Sequence, residues 1–332
     1  MERQRIRKLP KLDLHCHLDG SLSREFLQNM LGREIAVEEL QVEDECKSLA
    51  EYLKKFDLPL QCLQTREGLK NAGCDLIQSA AKENIKYVEV RFAPLLSENE
   101  KMDCGQIMEA VLEGLEEGRK IYHVESQVIA CAMRHHTYEQ NKRMIEAVRE
   151  FYGKGLCAFD LAGNEAAYPM ENFVDLFRWV DEMGIPFTIH AGECGRVENV
   201  MLAVKTGALR IGHGIALAGN KEAIRFCREK NIGIEMCPSS NLQTKAVKKA
   251  ELYPIREFLE EGLKVTLNTD NRTVSHTSIG KEIELVQKNW GITDREIFCM
   301  MENAIDVSFA GKEIKEELKR ELKRQKGEIG NE

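Results

Sequence analysis

No stretch of the 332-residue chain approaches the roughly 20 consecutive apolar residues of a membrane span. The basic start Met-Glu-Arg-Gln-Arg-Ile-Arg-Lys is not followed by the apolar run of a secretory signal. A cytoplasmic protein with no membrane partner is therefore expected. Basic stripes are missing as well. The net charge is −8, and duplex or phosphate-rich polymers are bound through clustered Lys and Arg, so no nucleic-acid partner is expected. The eleven cysteines contain no Cys-x-x-Cys, which argues against a thiolate zinc cluster and fits a reducing compartment. There is no Gly-x-x-x-x-Gly-Lys-Ser/Thr and no strand-borne Gly-x-Gly-x-x-Gly, which disfavours both common nucleotide-cofactor designs. No low-complexity linker or short repeat divides the chain.

What is present is a regular alternation. A hydrophobic share of 43% with 31% charged residues suits a soluble globular protein. Short β-rich runs at 11–17, 87–92, 126–133, 156–161, 186–190, 209–213, 232–237 and 264–269 are separated by amphipathic segments such as 105–121 and 171–183. Strands alternating with helices imply a parallel sheet with right-handed crossovers. Eight of them match a closed (β/α)8 TIM barrel better than an open doubly wound sheet. A single barrel domain over 1–332 is expected, with extra helices in two places. One set, 18–86, follows the first strand and is too long for a simple connection. Within it, Phe-Asp-Leu-Pro-Leu-Gln-Cys-Leu (56–63) can serve as a lid or can pack the insertion onto the barrel. The other set is the C-terminal region 281–332, whose Lys/Glu-rich part (312–328) reads as a solvated helix face that frays.

The reactive residues fall at strand ends. The first strand ends in His15-Cys16-His17, and residues two apart in a strand share a face, so both imidazoles project together while Cys16 points to the core. The fifth runs Pro-Phe-Thr-Ile-His-Ala-Gly-Glu, ending in His190 and Glu193. The sixth ends with His213, the seventh in Cys-Pro-Ser-Ser-Asn, and the eighth with Asp270 and Asn271. A barrel gathers all these carboxyl ends around one mouth, where such folds place their active sites. His135 and His136 follow strand three and read as a polar loop. His15, His17 and His190 can supply three nitrogens and Asp270 an oxygen, a donor set suited to a catalytic Zn²⁺ that keeps one position open for water. Glu193 lies at the same rim and can hand a proton to a substrate nitrogen in an enclosed site. His213 can take a proton from the attacking water or, as an imidazolium, stabilise the developing hydroxide. Each residue has a bland counterpart: Glu193 as a surface carboxylate, His213 as a packed core histidine, Asp270 as a helix cap. Their joint placement at the ends of separate strands favours the chemical reading.

His-Cys-His-Leu-Asp-Gly (15–20), His-Ala-Gly-Glu (190–193), Ile-Gly-His-Gly (211–214) and Leu-Asn-Thr-Asp (267–270) together resemble the adenosine deaminases of the amidohydrolase superfamily. Asp-Leu-Ala-Gly-Asn-Glu (160–165) and Cys-Pro-Ser-Ser-Asn (237–241) extend the match, which covers roughly residues 9–310. The resemblance implies a zinc-dependent hydrolytic deamination of adenosine, and of 2′-deoxyadenosine, to inosine and ammonia in purine salvage. It implies one zinc ion per chain held by His15, His17, His190 and Asp270. Glu193 would protonate N1 of the purine, and Asp270 and His213 would orient the water that attacks C6. His17 and Asp19 would sit near the ribose, with Asp19 accepting from the 5′-hydroxyl. The backbone N–H of Gly163 would donate to N3. Many members have an aspartate where this chain has Asn271. An amide always carries two donors, whereas a carboxyl donates only when protonated, so Asn271 can make the same contact to N7. The competing readings are a deaminase of another aminopurine (adenine or a 5′-modified adenosine) and a catalytically silent purine-binding barrel. Asp19 favours a free 5′-hydroxyl and opposes a 5′-phosphate. A silent barrel would be expected to have lost a ligand or the acid. The Cys-ligated pattern of cytidine-type deaminases is absent.

Overall fold

The computed structural model describes residues 1–42, 46, 52, 54–194 and 196–329. Eight strands run in chain order as β1 (Lys11–His17), β2 (Ile85–Phe92), β3 (Glu125–Met133), β4 (Leu156–Ala162), β5 (Thr188–Ala191), β6 (Arg210–His213), β7 (Gly233–Met236) and β8 (Lys264–Leu267). All pairings within the two ladders β1-β2-β3-β4 and β5-β6-β7-β8 are parallel. Single parallel bridges close them into one barrel, Phe159 to Phe187 on one side and Cys16 to Asp270 on the other. The second closure is tight: His17 N donates to Asp270 O at 2.7 Å and Asp270 N to His15 O at 2.7 Å. The eight-stranded barrel expected from the alternation is thus the fold.

Parallel strands packed beneath helices are buried on both faces, and β1 shows how this chain uses that. Leu12, Leu14 and Cys16 alternate with Asp13, His15 and His17, and all except His17 are buried. The apolar set faces the helices, while the polar set faces the barrel axis, where it needs partners.

The segment after β1 folds into helices at Arg24–Leu31, Val37–Leu40, Asp57–Cys62 and Arg66–Ala81. Pro59, Cys62 and Leu63 are buried in the main body, whereas Phe56, Asp57 and Leu60 line a cavity at the barrel mouth. The helix expected at 105–121 spans Cys104–Tyr122, started by a capping box between Asp103 and Gln106. The one expected at 171–183 is split. A 3₁₀ turn over Met170–Phe173 precedes the helix Val174–Glu182, because Met170 N is tied to Asn199 Oδ1 at 3.0 Å. The C-terminal region forms Ile279–Trp290, Asp294–Val307 and Lys312–Ile329. The last helix corrects the expectation of a wholly solvated face. Leu318 and Leu322, one turn apart, are 4% and 2% exposed and join the core, so an apolar stripe among the charges docks it. Among the described residues no helix is long and apolar enough to cross a membrane.

Candidate active site

At the carboxyl ends of the strands lies a cavity of about 300 Å³. His17, Asp19, Gly163, His190, Glu193, His213, Asp270 and Asn271, all singled out from the sequence, line it. His15 sits directly behind, fully buried, its ring centroid 4.5 Å from that of His190 and 4.9 Å from that of His213. His17 Nε2 is 3.2 Å from His190 Nε2 and 3.3 Å from Asp270 Oδ1, and His15 Nε2 is 3.4 Å from the same oxygen. One ligand atom each from His15, His190, His213 and Asp270 falls within a mutual span of 4.8 Å. The four imidazoles and the carboxylate predicted to converge therefore do so.

Two carboxylates that the sequence reading left without a role orient the rings. Glu235 Oε2 lies 2.7 Å from His15 Nδ1, and Asp160 Oδ2 lies 2.9 Å from His190 Nδ1. Each carboxylate favours the proton on Nδ1 and so turns a lone pair on Nε2 toward the cavity, as a carboxylate behind a metal-binding imidazole does. Burial lowers His15 to about 4, so it is neutral at pH 7. At His190 burial also pulls downward, but the Asp160 carboxylate outweighs it and the net shift is upward. Burial opposes ionisation of Asp270 too, yet the surrounding histidines hold it well below the usual carboxylate range. Its Oδ2 accepts from Ser240 Oγ at 2.5 Å, which leaves Oδ1 facing the rings. Beneath this layer Arg91 bonds Asp160 and Glu235 at 2.9 Å each, and Arg210 bonds Glu235 at 2.6 Å and Glu89 at 2.5 Å. These charges are fully buried and mutually paired.

The signal for Glu89, Arg91, Asp160, Arg210 and Glu235 was in the sequence. They are charged residues within apolar strands, at the inward parity of the strand period. Gly212 shares that parity, and a Cβ there would sit 2.9 Å from His15 Cε1, so the ring needs the space that glycine leaves.

His213 differs from the other three histidines. Its Nδ1 is 3.0 Å from Asn241 Nδ2, whose Oδ1 accepts from Tyr253 Oη at 3.3 Å. An amide N–H on Nδ1 leaves the ring proton on Nε2, so His213 presents a donor to the cavity where His15 and His190 present lone pairs. That Nε2 is 3.8 Å from Glu193 Oε2, and Thr244 Oγ1 donates to Glu193 Oε1 at 3.4 Å. The Glu193 side chain is 15% exposed, which excludes the surface-carboxylate reading. Thr244, Asn241 and Ser240 lie past the end of β7, in and at the end of the short helix Pro238–Gln243, just beyond or within the motif quoted at 237–241, and single polar residues there give no sequence signal of their own.

In the same cavity, Asp19 Oδ1 and Asn271 Oδ1 are buried without a hydrogen-bond partner. Burial raises Asp19 to about 6, against the pull of the backbone N–H groups of Asp19 and Gly20. Gly163 has φ +103°, a conformation that requires glycine and accounts for that residue independently of any ligand. His135, read as a loop residue, reaches the cavity rim.

The donor chemistry fits a zinc ion. Imidazole nitrogens turned inward by carboxylates, one carboxylate oxygen, and His15 Nε2 buried without a hydrogen-bond partner make a donor set suited to that cation.

This arrangement agrees with what the chain is similar to. Residues 10–325 match the family model for adenosine deaminase. An adenosine deaminase of Clostridium botulinum (strain Okra / Type B1) is 40% identical over 329 residues, covering 96% of this chain and 98% of that protein. An adenine deaminase of Arthrobacter aurescens superposes with a TM-score of 0.85 at 22% identity, covering 95% of this chain and 98% of the other. An amidohydrolase of Burkhoderia ambifaria with bound zinc gives 0.88 at 19% identity, covering 99% and 95%. These two likenesses bear on the fold alone. With an inward-facing His/Asp cluster beside a carboxylate in one cavity, and a family match and a 40% identical relative that both run nearly end to end, the chain belongs to the adenosine deaminase family of hydrolases.

Proposed function

We propose that the chain hydrolyses adenosine and 2′-deoxyadenosine to inosine and ammonia, as a cytoplasmic enzyme of purine salvage. The observation that carries this reading is the convergence of Glu193, His213 and the His/Asp cluster on one cavity of about 300 Å³. One zinc ion would be held by His15, His17, His190 and Asp270. When bound, it supplies the Lewis acidity that makes water a nucleophile near neutral pH. Glu193 holds a proton for N1 of the purine, so that C6 gains electrophilic character as the ring accepts it. His213, with its Nε2 facing Glu193, donates its ring N–H to the attacking water and so directs it. Asp270 Oδ1 faces the same point because Ser240 occupies Oδ2. Asp19 accepts from the 5′-hydroxyl, Gly163 N–H donates to N3, and the Asn271 amide donates to N7. The carboxylates Asp19 and Asp57 in the lining disfavour a 5′-phosphate.

A substrate panel on metal-analysed protein tests this. Adenosine and 2′-deoxyadenosine are expected to lose their absorbance fastest, with adenine, 5′-methylthioadenosine and AMP at least about tenfold slower. Faster turnover of adenine or of the 5′-modified nucleoside transfers the assignment to that substrate, and a zinc-loaded protein that releases no ammonia from any of them refutes it. Glu193→Gln is expected to keep the metal while kcat falls by roughly 10²–10⁴-fold, the usual contribution of a positioned proton donor. Near-normal turnover would overturn its role.

A further inference from the structure

Glu165 lies outside the lining of the cavity, yet its carboxylate grips the loop that carries Glu193 and the Asn199 amide in the helix just beyond it. Oε1 accepts from Gly192 N at 2.7 Å and from Asn199 Nδ2 at 2.7 Å, and Oε2 accepts from Glu193 N at 3.0 Å and Cys194 N at 3.1 Å. Three consecutive backbone N–H groups thus converge on one side chain that is 2% exposed. Arg134, itself 1% exposed, holds the residue at the start of the same loop, donating Nη2 to His190 O at 2.7 Å and Nη1 to Tyr168 O at 2.6 Å. The Glu193 carboxyl, by contrast, is held loosely, with Thr244 Oγ1 at 3.4 Å and His213 Nε2 at 3.8 Å. Its aim is therefore inherited from its backbone rather than set by its own contacts.

We infer that Glu165 is a positioning residue for the proton transfer: its carboxylate, gripping the N–H groups of 192–194, fixes where the Glu193 carboxyl points. The inference rests on the reading of Glu193 as proton donor to the purine. A misplacement of about 1 Å in a reacting group is enough to lower turnover by roughly 10²-fold. Glutamine at position 165 has the same shape, but it replaces one oxygen with N–H₂ facing N–H donors, so at least one side of the grip is lost.

The test is a double-mutant cycle on zinc-loaded protein with adenosine. Glu165→Gln is expected to lower kcat by about 10- to 100-fold, with KM within about threefold and metal content unchanged. In the Glu193→Gln background the same substitution is expected to change kcat by less than about twofold, because there is no longer a donor to aim. Glu165→Asp keeps the charge but withdraws it by one methylene, should give an intermediate loss with the same non-additivity, and carries the cycle where Glu165→Gln does not fold. Equal losses in both backgrounds, loss of bound metal, or no loss at all would overturn the inference, as would failure of both variants to fold. A Glu193→Gln enzyme with full turnover instead refutes the donor reading itself, and that single variant reports it before the cycle is assembled.

Discussion

At the scale of the residue, two site side chains stand on backbone that non-glycine residues avoid. His213 has φ +66° and Asp270 φ +60°, each costing roughly 1–3 kcal/mol and persisting only because the surroundings impose it. For Asp270 the surroundings do so through the two short bonds to β1 that close the barrel. Asn271 follows directly, buried at 3% exposure with Oδ1 unpartnered. Asn271→Asp is expected to fold, hold its metal and stay within about tenfold of the parent kcat/KM, since either side chain reaches the same place. A metal-loaded but inert variant, measured on adenosine, would show that the amide does more than donate one bond. The residues legible in the sequence were those with unusual chemistry at strand ends: His15, His17, His190, Glu193, His213 and Asp270. Glu165 was not legible, because a carboxylate surrounded by donors in space looks, in one dimension, like any other charge.

At the scale of the element, the helix Ile279–Trp290 reaches back to the site through Glu282. This residue is fully buried in the helix's first turn and accepts from Ser239 N at 3.1 Å and from Thr277 Oγ1. Ser239 adjoins Ser240, which holds Asp270. Burial raises Glu282 from the ordinary 4.5 to about 7, against the hydrogen bonds from Ser239 and Thr277, and Asp13 adds to the rise. Between those values the folded protein keeps a proton that the unfolded chain has released. This contribution to stability is complete below pH 4.5 and is lost as pH rises to about 7, a loss of about 3 kcal/mol. Glu282→Gln should remove the dependence: its Tm is expected to change less than the parent's between pH 5 and pH 8 and to exceed it at pH 8, as followed by thermal melts. Parallel curves for the two proteins would exclude the assignment. Element positions were read closely from periodicity, because strands buried on both faces leave continuous apolar runs. The boundary of the helix at 174 was missed because a tertiary bond, Met170 N to Asn199 Oδ1, decides it.

At the scale of the whole molecule, the proposed ligands come from both halves of the barrel. His15 and His17 lie on β1 of one ladder, and His190 lies on β5 and Asp270 just past β8 of the other. A bound cation would link the ladders where the backbone joins them by a single bridge. Removing metal with a chelator is expected to abolish deamination and to lower Tm by several degrees. A ligand present at about 1,000 times its Kd contributes roughly 4 kcal/mol, and zinc should restore both properties. An unchanged melting curve after complete metal loss would contradict the linking role.

By itself the sequence determined the order of strands and helices, the parity that sends one side chain inward and the next into the core, and the set of side chains able to bind a cation and move a proton. Those properties are local, set by the chain's period and by the chemistry of each residue. Only the tertiary structure decided which carboxylate turns which imidazole, that Asn241 makes His213 a donor, that Leu318 and Leu322 dock the last helix, and that Glu165 grips the loop of Glu193. These pairings join residues 27 to 220 positions apart. Barrel closure sets such distances, and no period along the chain records them.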